Sequence, residues 1–206
     1  MILHPTEITG SKTDSRAIII PKLLDRVYKR KCRSLSIIEI GTIRDTSVPN
    51  VHMMSDGYST LYLTCWAANH LTEHEIISID IETNTCKEYL TRYALDMYVH
   101  FIEEDSVLAL DNLSGDPDYI ADFIYFDGDN DPDVIISELC TAIPILDEGS
   151  IIAFDDFDLN APAQKKGRIL LPLLGELGIP YEMFNNRICY IDLTTDILTS
   201  LDEALV

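Results

Sequence analysis

Acidic residues follow several apolar segments of this sequence, at the point where each segment ends. The clearest case is IYFDGDND, in which an apolar run gives way to Asp127, Asp129 and Asp131. The segment SIIAFDDF ends in the same way, in Asp155 and Asp156. Like charges that are crowded together raise each other's pKa unless a cation or a donor compensates. Spread around a hard cation, the same oxygens would be metal ligands.

Short segments rich in Ile, Val, Phe and Tyr alternate with segments of helical spacing, which predicts an α/β fold. The chain is expected to form a doubly wound, mostly parallel sheet of seven strands. We predict five parallel strands, at residues 35–40, 75–81, 98–103, 122–127 and 150–155. We predict helices at residues 14–30, 60–71, 83–95, 132–145 and 163–177.

The last two strand-like segments have no helix between them. They are IPYEMFN and RICYIDL, joined by the turn signal Asn185-Asn186, and they predict a C-terminal antiparallel hairpin. No linker or repeat interrupts the chain, so residues 1–206 are predicted to be one domain. Its parts would be an N-terminal helix at about 14–31, a core at about 34–193 and an acidic, mobile tail at 194–206.

Ligands bind to open α/β sheets at the carboxyl ends of the strands. All five predicted parallel strands are followed there by acidic residues. Besides the aspartates above, these include Glu39 after the first strand, Asp80 after the second and Asp105 after the third. Asp80 and Asp105 have a structural explanation too, because either could cap a helix. The concentration of acids nevertheless predicts a binding site at this edge of the sheet.

Composition limits the classes of partner. The formal charge of −20 disfavours nucleic acid, which is bound through Lys and Arg. The basic segments KRKCR and QKKGR are expected on solvated helix ends. No apolar stretch approaches the roughly 18 residues of a membrane helix, and no secretory signal pattern opens the chain. Five scattered cysteines indicate free thiols in a cytoplasmic protein. A small molecule is the expected partner, and a homo-oligomer stays open.

The order of the segments resembles class I S-adenosylmethionine-dependent methyltransferases. The resemblance is carried by EIGT, DGYSTLYL, IISIDI, FIEEDS, FIYFDGDN and IIAFDDF, between residues 34 and 157. It is closest to the O-methyltransferase branch that has a divalent-metal site. It implies a Rossmann-like fold, S-adenosylmethionine as cofactor with Mg²⁺ beside it, and transfer of methyl to a small hydroxylated acceptor.

The resemblance also implies roles for individual residues in binding the cofactor. Glu39 and Gly41 match the first cofactor motif, where the chain turns against the methionine part. Asp80 matches the acid that accepts hydrogen bonds from the ribose. The remaining matches are Asp105 and Ser106 beside the adenine, and Gly57, Ser59 and Thr60 as a displaced second half of the first motif. Asp127 is also expected to contribute to the cofactor site.

The same branch places a metal beside the methyl donor. Asp127 matches its first metal ligand, and Asp155 with Asp156 match the pair that completes the site. Asp127 and Asp129 are the expected catalytic residues. Where the branch often has a Lys or His base, this chain has Asn130, which cannot take up a proton at neutral pH. The alternatives for the base are Asp129, Asp131, His52 or acidification of the acceptor by the metal.

A long connection, residues 42–55, separates the two halves of the first motif. Loops of this length are often functional, so we expect it to close over the site, although a plain surface insertion is the alternative. Two other functions remain open at this stage. One is a degenerate methyltransferase fold that binds without turnover. The other is an NAD-dependent oxidoreductase, which the absence of a compact glycine loop disfavours.

Overall fold

The computed structural model describes residues 14–44, 58–70, 74–157 and 166–205 of the chain. In these residues the chain forms one seven-stranded sheet in the order β3-β2-β1-β4-β5-β7-β6. The strands are β1 (Ser36–Ile40), β2 (Glu75–Asp80), β3 (His100–Glu103), β4 (Ala121–Phe126), β5 (Leu146–Phe154), β6 (Glu182–Phe184) and β7 (Ile188–Asp192).

Helices connect the parallel strands, and some of them begin at an aspartate that caps the first turn. Asp14 caps the first helix by accepting from Arg16 N, and Asp131 caps the fifth, with Pro132 in its first turn. The helices are α1 (Ser15–Lys31), α2 (Ser59–Ala68), α3 (Asn84–Thr91), α4 (Ser106–Ser114), α5 (Pro132–Ala142), α6 (Gly167–Leu177) and α7 (Thr195–Leu205), with 3₁₀ turns at Asp96–Tyr98 and Ile143–Ile145.

The strand order changes direction at β1. This strand pairs in parallel with β2 on one side and with β4 on the other. Such a switch point opens a crevice at the carboxyl ends of the strands, where α/β proteins bind ligands. At the other edge, β7 runs antiparallel between β5 and β6. The predicted fold, a mostly parallel seven-stranded sheet with a C-terminal antiparallel hairpin, is confirmed.

Alternate residues of the central strands enter two apolar cores, one on each face of the sheet. Ile37 and Tyr125 pack with Leu23 of α1 on one face. Ile38 and Phe126 pack with residues of α5, α6 and α7 on the other. Both faces of the central strands are therefore covered, which explains their nearly continuous apolar sequences.

Two helices differ from the sequence-based expectations. The segment expected to be an acidic tail forms α7, because Ile197 and Leu201 lie four residues apart and bury themselves in the second core. The residues after Asp105 form α4, which is absent from the predicted helices. Among the described helices none is long and apolar enough to cross a membrane. All five cysteines are free thiols, as predicted.

Candidate active site

A cleft of about 290 Å³ opens at the carboxyl ends of β1, β2 and β4, at the switch point of the sheet. Five acidic residues line it and Arg44 is the one basic residue among the described residues that do. The lining residues are Ile40, Gly41, Arg44, Ile79, Asp80, Ile81, Glu104, Asp105, Ser106, Gly128, Asp129, Asn130, Val134 and Glu138. Four of the predicted cofactor-binding residues, Gly41, Asp80, Asp105 and Ser106, therefore meet in one cleft, together with Asp129.

Gly41 is required by the close approach of two chain segments at the floor of the cleft. Its φ is +91°, and a β-carbon there would lie 2.5 Å from the carbonyl oxygen of Asp127. The amide of Asp127 donates to the carbonyl of Ile40 at 2.8 Å, which extends the pairing of β1 and β4 by one residue. Only glycine permits this backbone path, and it leaves the turn without a side chain.

Asp80 ends β2 inside the cleft, where it is 5% exposed. Its Oδ2 accepts hydrogen bonds from the amide of Thr42 at 2.8 Å and from Arg44 Nε at 3.2 Å. Its Oδ1 accepts from the amide of Glu82 at 3.3 Å. Thr42 Oγ1 also reaches Oδ2, at 3.4 Å, whereas Oδ1 accepts only from Glu82 among the described residues, so Oδ1 keeps a lone pair for a hydroxyl donor of a ligand. The position that the resemblance assigned to the ribose is thus an acid held rigidly by backbone donors.

The turn between β3 and α4 brings Asp105 and Ser106 to the cleft. Asp105 Oδ1 caps α4 by accepting from the amides of Val107 and Leu108 at 3.0 and 3.2 Å. Capping explains why an acid precedes this helix, as the structural alternative proposed. Ser106 Oγ donates to Glu138 Oε1 at 2.5 Å. The start of α4 is thereby joined to α5 at the cleft.

Glu39, Ser59 and Thr60 were predicted to bind the cofactor, but none of them lines this cleft. Glu39 is fully buried in β1, and its Oε2 accepts from Thr60 Oγ1 at 2.7 Å and from Ser78 Oγ at 2.5 Å. Burial raises the pKa of Glu39 to about 7, although these hydroxyl donors oppose the change. The three side chains lie beneath the cleft because α2 packs its first turn against β1. Their structural role in the described residues is to join β1, β2 and α2.

Asp127, Asp155 and Asp156 lie together, as predicted, but cationic side chains stand between them. Asp155 is fully buried and accepts from Arg187 Nε at 2.6 Å and from Arg187 Nη2 at 3.0 Å. Arg16, from α1, lies 3.4 Å from Asp155 Oδ2 and 3.9 Å from Asp127 Oδ2. The opposite charges outweigh burial, which alone would raise the pKa of Asp155, and hold it below the ordinary value.

Lys166 adds a third cation. It is 1% exposed, and its Nζ lies 3.5 Å from Asp127 Oδ1. The prediction that QKKGR forms a solvated helix end is therefore wrong for this residue, because Lys166 turns inward to a buried carboxylate. Burial and the charge of Asp155 raise the pKa of Asp127 above its ordinary range, while Lys166 and Arg16 oppose the rise.

These contacts bear on whether the three acids could bind the predicted divalent ion. Within the described ranges, no group of three His, Cys, Asp or Glu side chains could hold a metal. The oxygens of Asp155 already accept from Arg187, Arg16 and the amide of Asp156. A cation such as Mg²⁺ would have to displace the guanidinium groups of Arg16 and Arg187 from Asp155, so the residues present do not fit it. The predicted set of Asp127, Asp155 and Asp156 is thus an ion-paired cluster in the structure.

Asp129 is an exposed acid that lines the cleft after the carboxyl end of β4. Its Oδ1 accepts from the amide of Asp131 at 2.9 Å, while Asp131 itself caps α5. Asn130 lines the cleft as well. Among the candidate bases, Asp129 is therefore in the cleft and Asp131 is committed to a helix cap. Gly57, His52 and residues 45–55 of the predicted closing loop lie outside the described residues.

Two lining residues were missed by sequence reasoning. Arg44 contacts Asp80, and nothing in its immediate sequence indicates that pairing. Glu138 had a usable signal: it lies on the buried stripe of α5, between Ile135 and Leu139, where an acid is out of place unless it has a partner or a function.

Comparison with known proteins agrees with this arrangement. A family model described as a methyltransferase domain matches residues 54–157, about half of the chain. No curated protein sequence matches the chain. Among solved structures, the Bacillus cereus O-methyltransferase in complex with SAH is similar at a TM-score of 0.61 and 14% identity, over 92% of this chain and 89% of that one.

Two further structures share the fold. CalS11, a TDP-rhamnose 3'-O-methyltransferase of calicheamicin biosynthesis, matches at a TM-score of 0.57 and 20% identity, over 91% of this chain and 90% of that one. MycE, a methyltransferase of the mycinamycin pathway in complex with Mg and SAH, matches at 0.62 and 13% identity. The match covers 93% of this chain and 55% of MycE, so the chain spans about half the length of that protein. With the family model matching half of its sequence and a cleft at the switch point of the matching fold, the chain belongs to the methyltransferase domain family.

Proposed function

We propose that the chain is an S-adenosylmethionine-dependent methyltransferase that methylates a hydroxyl oxygen of a small molecule. The observation that carries this proposal is the convergence of Gly41, Asp80, Asp105 and Ser106 on one cleft at the switch point of the sheet. The resemblance predicted a place in a cofactor site for each of these residues. The similar solved structures support the reaction class, since several of them are O-methyltransferases with SAH or SAM bound.

In this proposal the cleft residues bind the donor along its length. The glycine turn at Gly41 lies against the methionine part, because its backbone leaves the floor of the cleft without a side chain there. Asp80 accepts hydrogen bonds from the ribose hydroxyls. Asp105 and Ser106 lie beside the adenine. The bound donor would supply an activated methyl group, and the protein's main task is to align it with the acceptor oxygen and exclude water.

Asp129 is the proton acceptor in this account. It lines the cleft next to Gly128, at the carboxyl end of β4, and Asn130, which follows it, cannot act as a base. No step is assigned to a metal, because the oxygens that would hold one are paired with Arg16, Lys166 and Arg187.

A cytoplasmic location belongs to the same proposal, supported by the five free cysteines. The acceptor class is supported by two of the similar structures, since MycE is seen in complex with mycinamycin VI and CalS11 is a TDP-rhamnose 3'-O-methyltransferase. A hydroxylated sugar or a related small molecule is the class to test first.

The test measures transfer of label from methyl-labelled S-adenosylmethionine to a panel of hydroxylated small molecules. The wild type should label at least one acceptor and release S-adenosylhomocysteine. Asp129→Asn should lower turnover by roughly 10²–10⁴-fold, the usual contribution of a general base, with donor affinity retained. Asp133→Asn is the matched control, because Asp133 is exposed in the first turn of α5 and does not line the cleft. Full turnover in Asp129→Asn would remove this residue from the mechanism.

A further inference from the structure

Glu138 occupies an unusual position in the cleft. It projects from α5, is 1% exposed, and lines the cleft between the loops that follow β3 and β4. Its Oε1 accepts from Ser106 Oγ at 2.5 Å on one side. On the other side the same oxygen lies 3.7 Å from where a β-carbon on Gly128 would be. The carboxyl group therefore sits at the base of the cleft, with a residue of each loop beside it.

The second carboxyl oxygen, Oε2, is buried and makes no hydrogen bond within the described part of the chain. Most buried polar atoms in folded proteins have a partner, and an exception calls for an explanation. The hydroxyl of Ser106 has a single proton and donates it to Oε1, so Ser106 cannot also donate to Oε2. The unpartnered oxygen on a cleft wall indicates that a ligand donor completes the site.

The charged surroundings restrict what that donor can be. Burial raises the pKa of Glu138 to about 7, and the negative charges of Asp129 and Asp105 add to the rise. The hydrogen bond from Ser106 and the positive charge of Lys166 oppose it. A ligand that donates a hydrogen bond to Oε2 would favour the ionised carboxylate. A ligand that presents a carbonyl oxygen there would meet a second acceptor and be disfavoured.

The position along the cleft indicates which part of a ligand is near. Ser106, the hydrogen-bond partner of Glu138, follows Asp105 at the start of α4, and both belong to the end of the cleft assigned to the adenine. Adenine presents a 6-amino group that donates, whereas hypoxanthine presents a 6-oxo group that only accepts. At this end of the cleft, the hydrogen-bond donor that the proposed cofactor would present is therefore the 6-amino group of its purine.

We propose that Glu138 is a specificity-determining residue, whose Oε2 accepts a hydrogen bond from the 6-amino group of the adenine ring. It thereby selects 6-aminopurine ligands over their 6-oxo counterparts. This inference rests on the proposed function, because it requires the adenosyl donor to lie in this cleft. It adds a residue of α5, outside the turn after β3, to recognition of the base.

The test compares two ligands that differ at this one position: S-adenosylhomocysteine and its deaminated form, S-inosylhomocysteine. Calorimetry on the wild type should show S-adenosylhomocysteine binding at least tenfold more tightly. Glu138→Leu should weaken S-adenosylhomocysteine binding by about tenfold and change S-inosylhomocysteine binding little, so that the preference shrinks. Ser137→Ala is the matched control, because Ser137 is the exposed neighbour on the same helix, and it should keep the wild-type preference.

Glu138→Gln supplies a second readout, since it removes the ionisation and keeps the size. In the wild type, affinity for S-adenosylhomocysteine should rise between pH 6 and pH 8 as the carboxylate forms at a pKa of about 7. In Glu138→Gln this rise should be absent. The assignment would be overturned if Glu138→Leu lost affinity for both ligands equally, or if the wild type bound the two ligands with equal affinity. A wild type that binds neither ligand would instead reject the proposed function.

Discussion

Gly41 and Asp127 touch through their backbones, so closely that a β-carbon on Gly41 would lie 2.5 Å from the carbonyl oxygen of Asp127. This contact joins the ends of β1 and β4 at the point where the strand order reverses, and it shapes the floor of the cleft. Nothing in the sequence indicates that these two residues are in contact. Their importance comes from the sheet, which makes neighbours of segments that are far apart in the chain.

Gly41→Ala should therefore lower both the free energy of unfolding and the affinity for the donor. Left-handed backbone strain and the overlap with Asp127 together cost roughly 2–4 kcal/mol, to be measured by urea denaturation. Gly175→Ala is the control, because Gly175 lies inside α6 with nothing within 4 Å of the added carbon. That substitution should be neutral or stabilise by up to about 1 kcal/mol. Wild-type stability in Gly41→Ala would contradict the close approach.

Arg187→Met should be strongly destabilising because it leaves the buried carboxylate of Asp155 with Arg16 as its remaining cationic partner. Loss of one partner of a buried ion pair typically costs about 3–5 kcal/mol. Arg26→Met is the control: Arg26 also pairs with two acids, Asp192 and Glu182, but their side chains are 29% and 59% exposed, whereas that of Asp155 is 0% exposed. Exposed pairs contribute about 0–1 kcal/mol. Equal effects of the two substitutions in chemical denaturation would mean that the buried cluster is unimportant for stability.

The same cluster has a pH dependence of known sign. The pKa of Asp155 is held below its ordinary value in the folded state, so its contribution is present at neutral pH and is lost as pH falls through the folded pKa. The difference in unfolding free energy between the wild type and Arg187→Met should consequently shrink below about pH 4. A constant difference down to pH 2 would contradict the ion pair.

Divalent cations should leave the protein unchanged. Since Arg16, Lys166 and Arg187 already pair with the acids that would hold an ion, the melting temperature should be the same with millimolar Mg²⁺ and with EDTA. Titration with Mn²⁺, followed by its electron paramagnetic resonance signal, should show no saturable site. A melting temperature that rises with Mg²⁺ concentration, as mass action requires for a ligand of the folded state, would restore the metal site predicted from sequence.

Glu39→Gln tests the carboxylate buried beneath the cleft. Burial raises the pKa of Glu39 to about 7 in the folded state, while the unfolded chain keeps an ordinary carboxyl. Between these two pKa values the folded state holds the extra proton, so stability should decline as pH rises from about 5 to 7, by at most about 3 kcal/mol for this group. Glu39→Gln should flatten that decline, measured by urea denaturation at several pH values. The exposed control Glu176→Gln should leave the slope unchanged.

The sequence indicated the sheet and its order of elements because buried parallel strands are apolar on both faces, as in the segment that became β4. It also located Asp80 and Asp105, since the carboxyl ends of parallel strands meet at one edge. It did not reveal α7, whose pair Ile197 and Leu201 was outweighed by the acidic character of the segment.

The cation pairs were beyond sequence reasoning. Arg16 meets Asp155 across a separation of 139 residues, and Arg187 and Lys166 also reach the cluster through tertiary packing. Acid-rich strand ends look the same in sequence whether a metal, a donor or a guanidinium neutralises them. Glu138 was recognisable in principle, as an acid on the apolar stripe of α5, but its unpartnered oxygen is a property of the folded cleft.

The central claim, that this cleft binds an adenosyl methyl donor, is tested most directly by calorimetric titration of the wild type with S-adenosylhomocysteine. We expect saturable binding of one ligand per chain. Asp80→Ala should weaken it by roughly 1.5–3 kcal/mol, the scale of hydrogen bonds to a charged group, and Asp202→Ala, an exposed acid of α7, should leave it unchanged. No binding of S-adenosylhomocysteine, together with saturable binding of NADH, would contradict the account and favour an oxidoreductase.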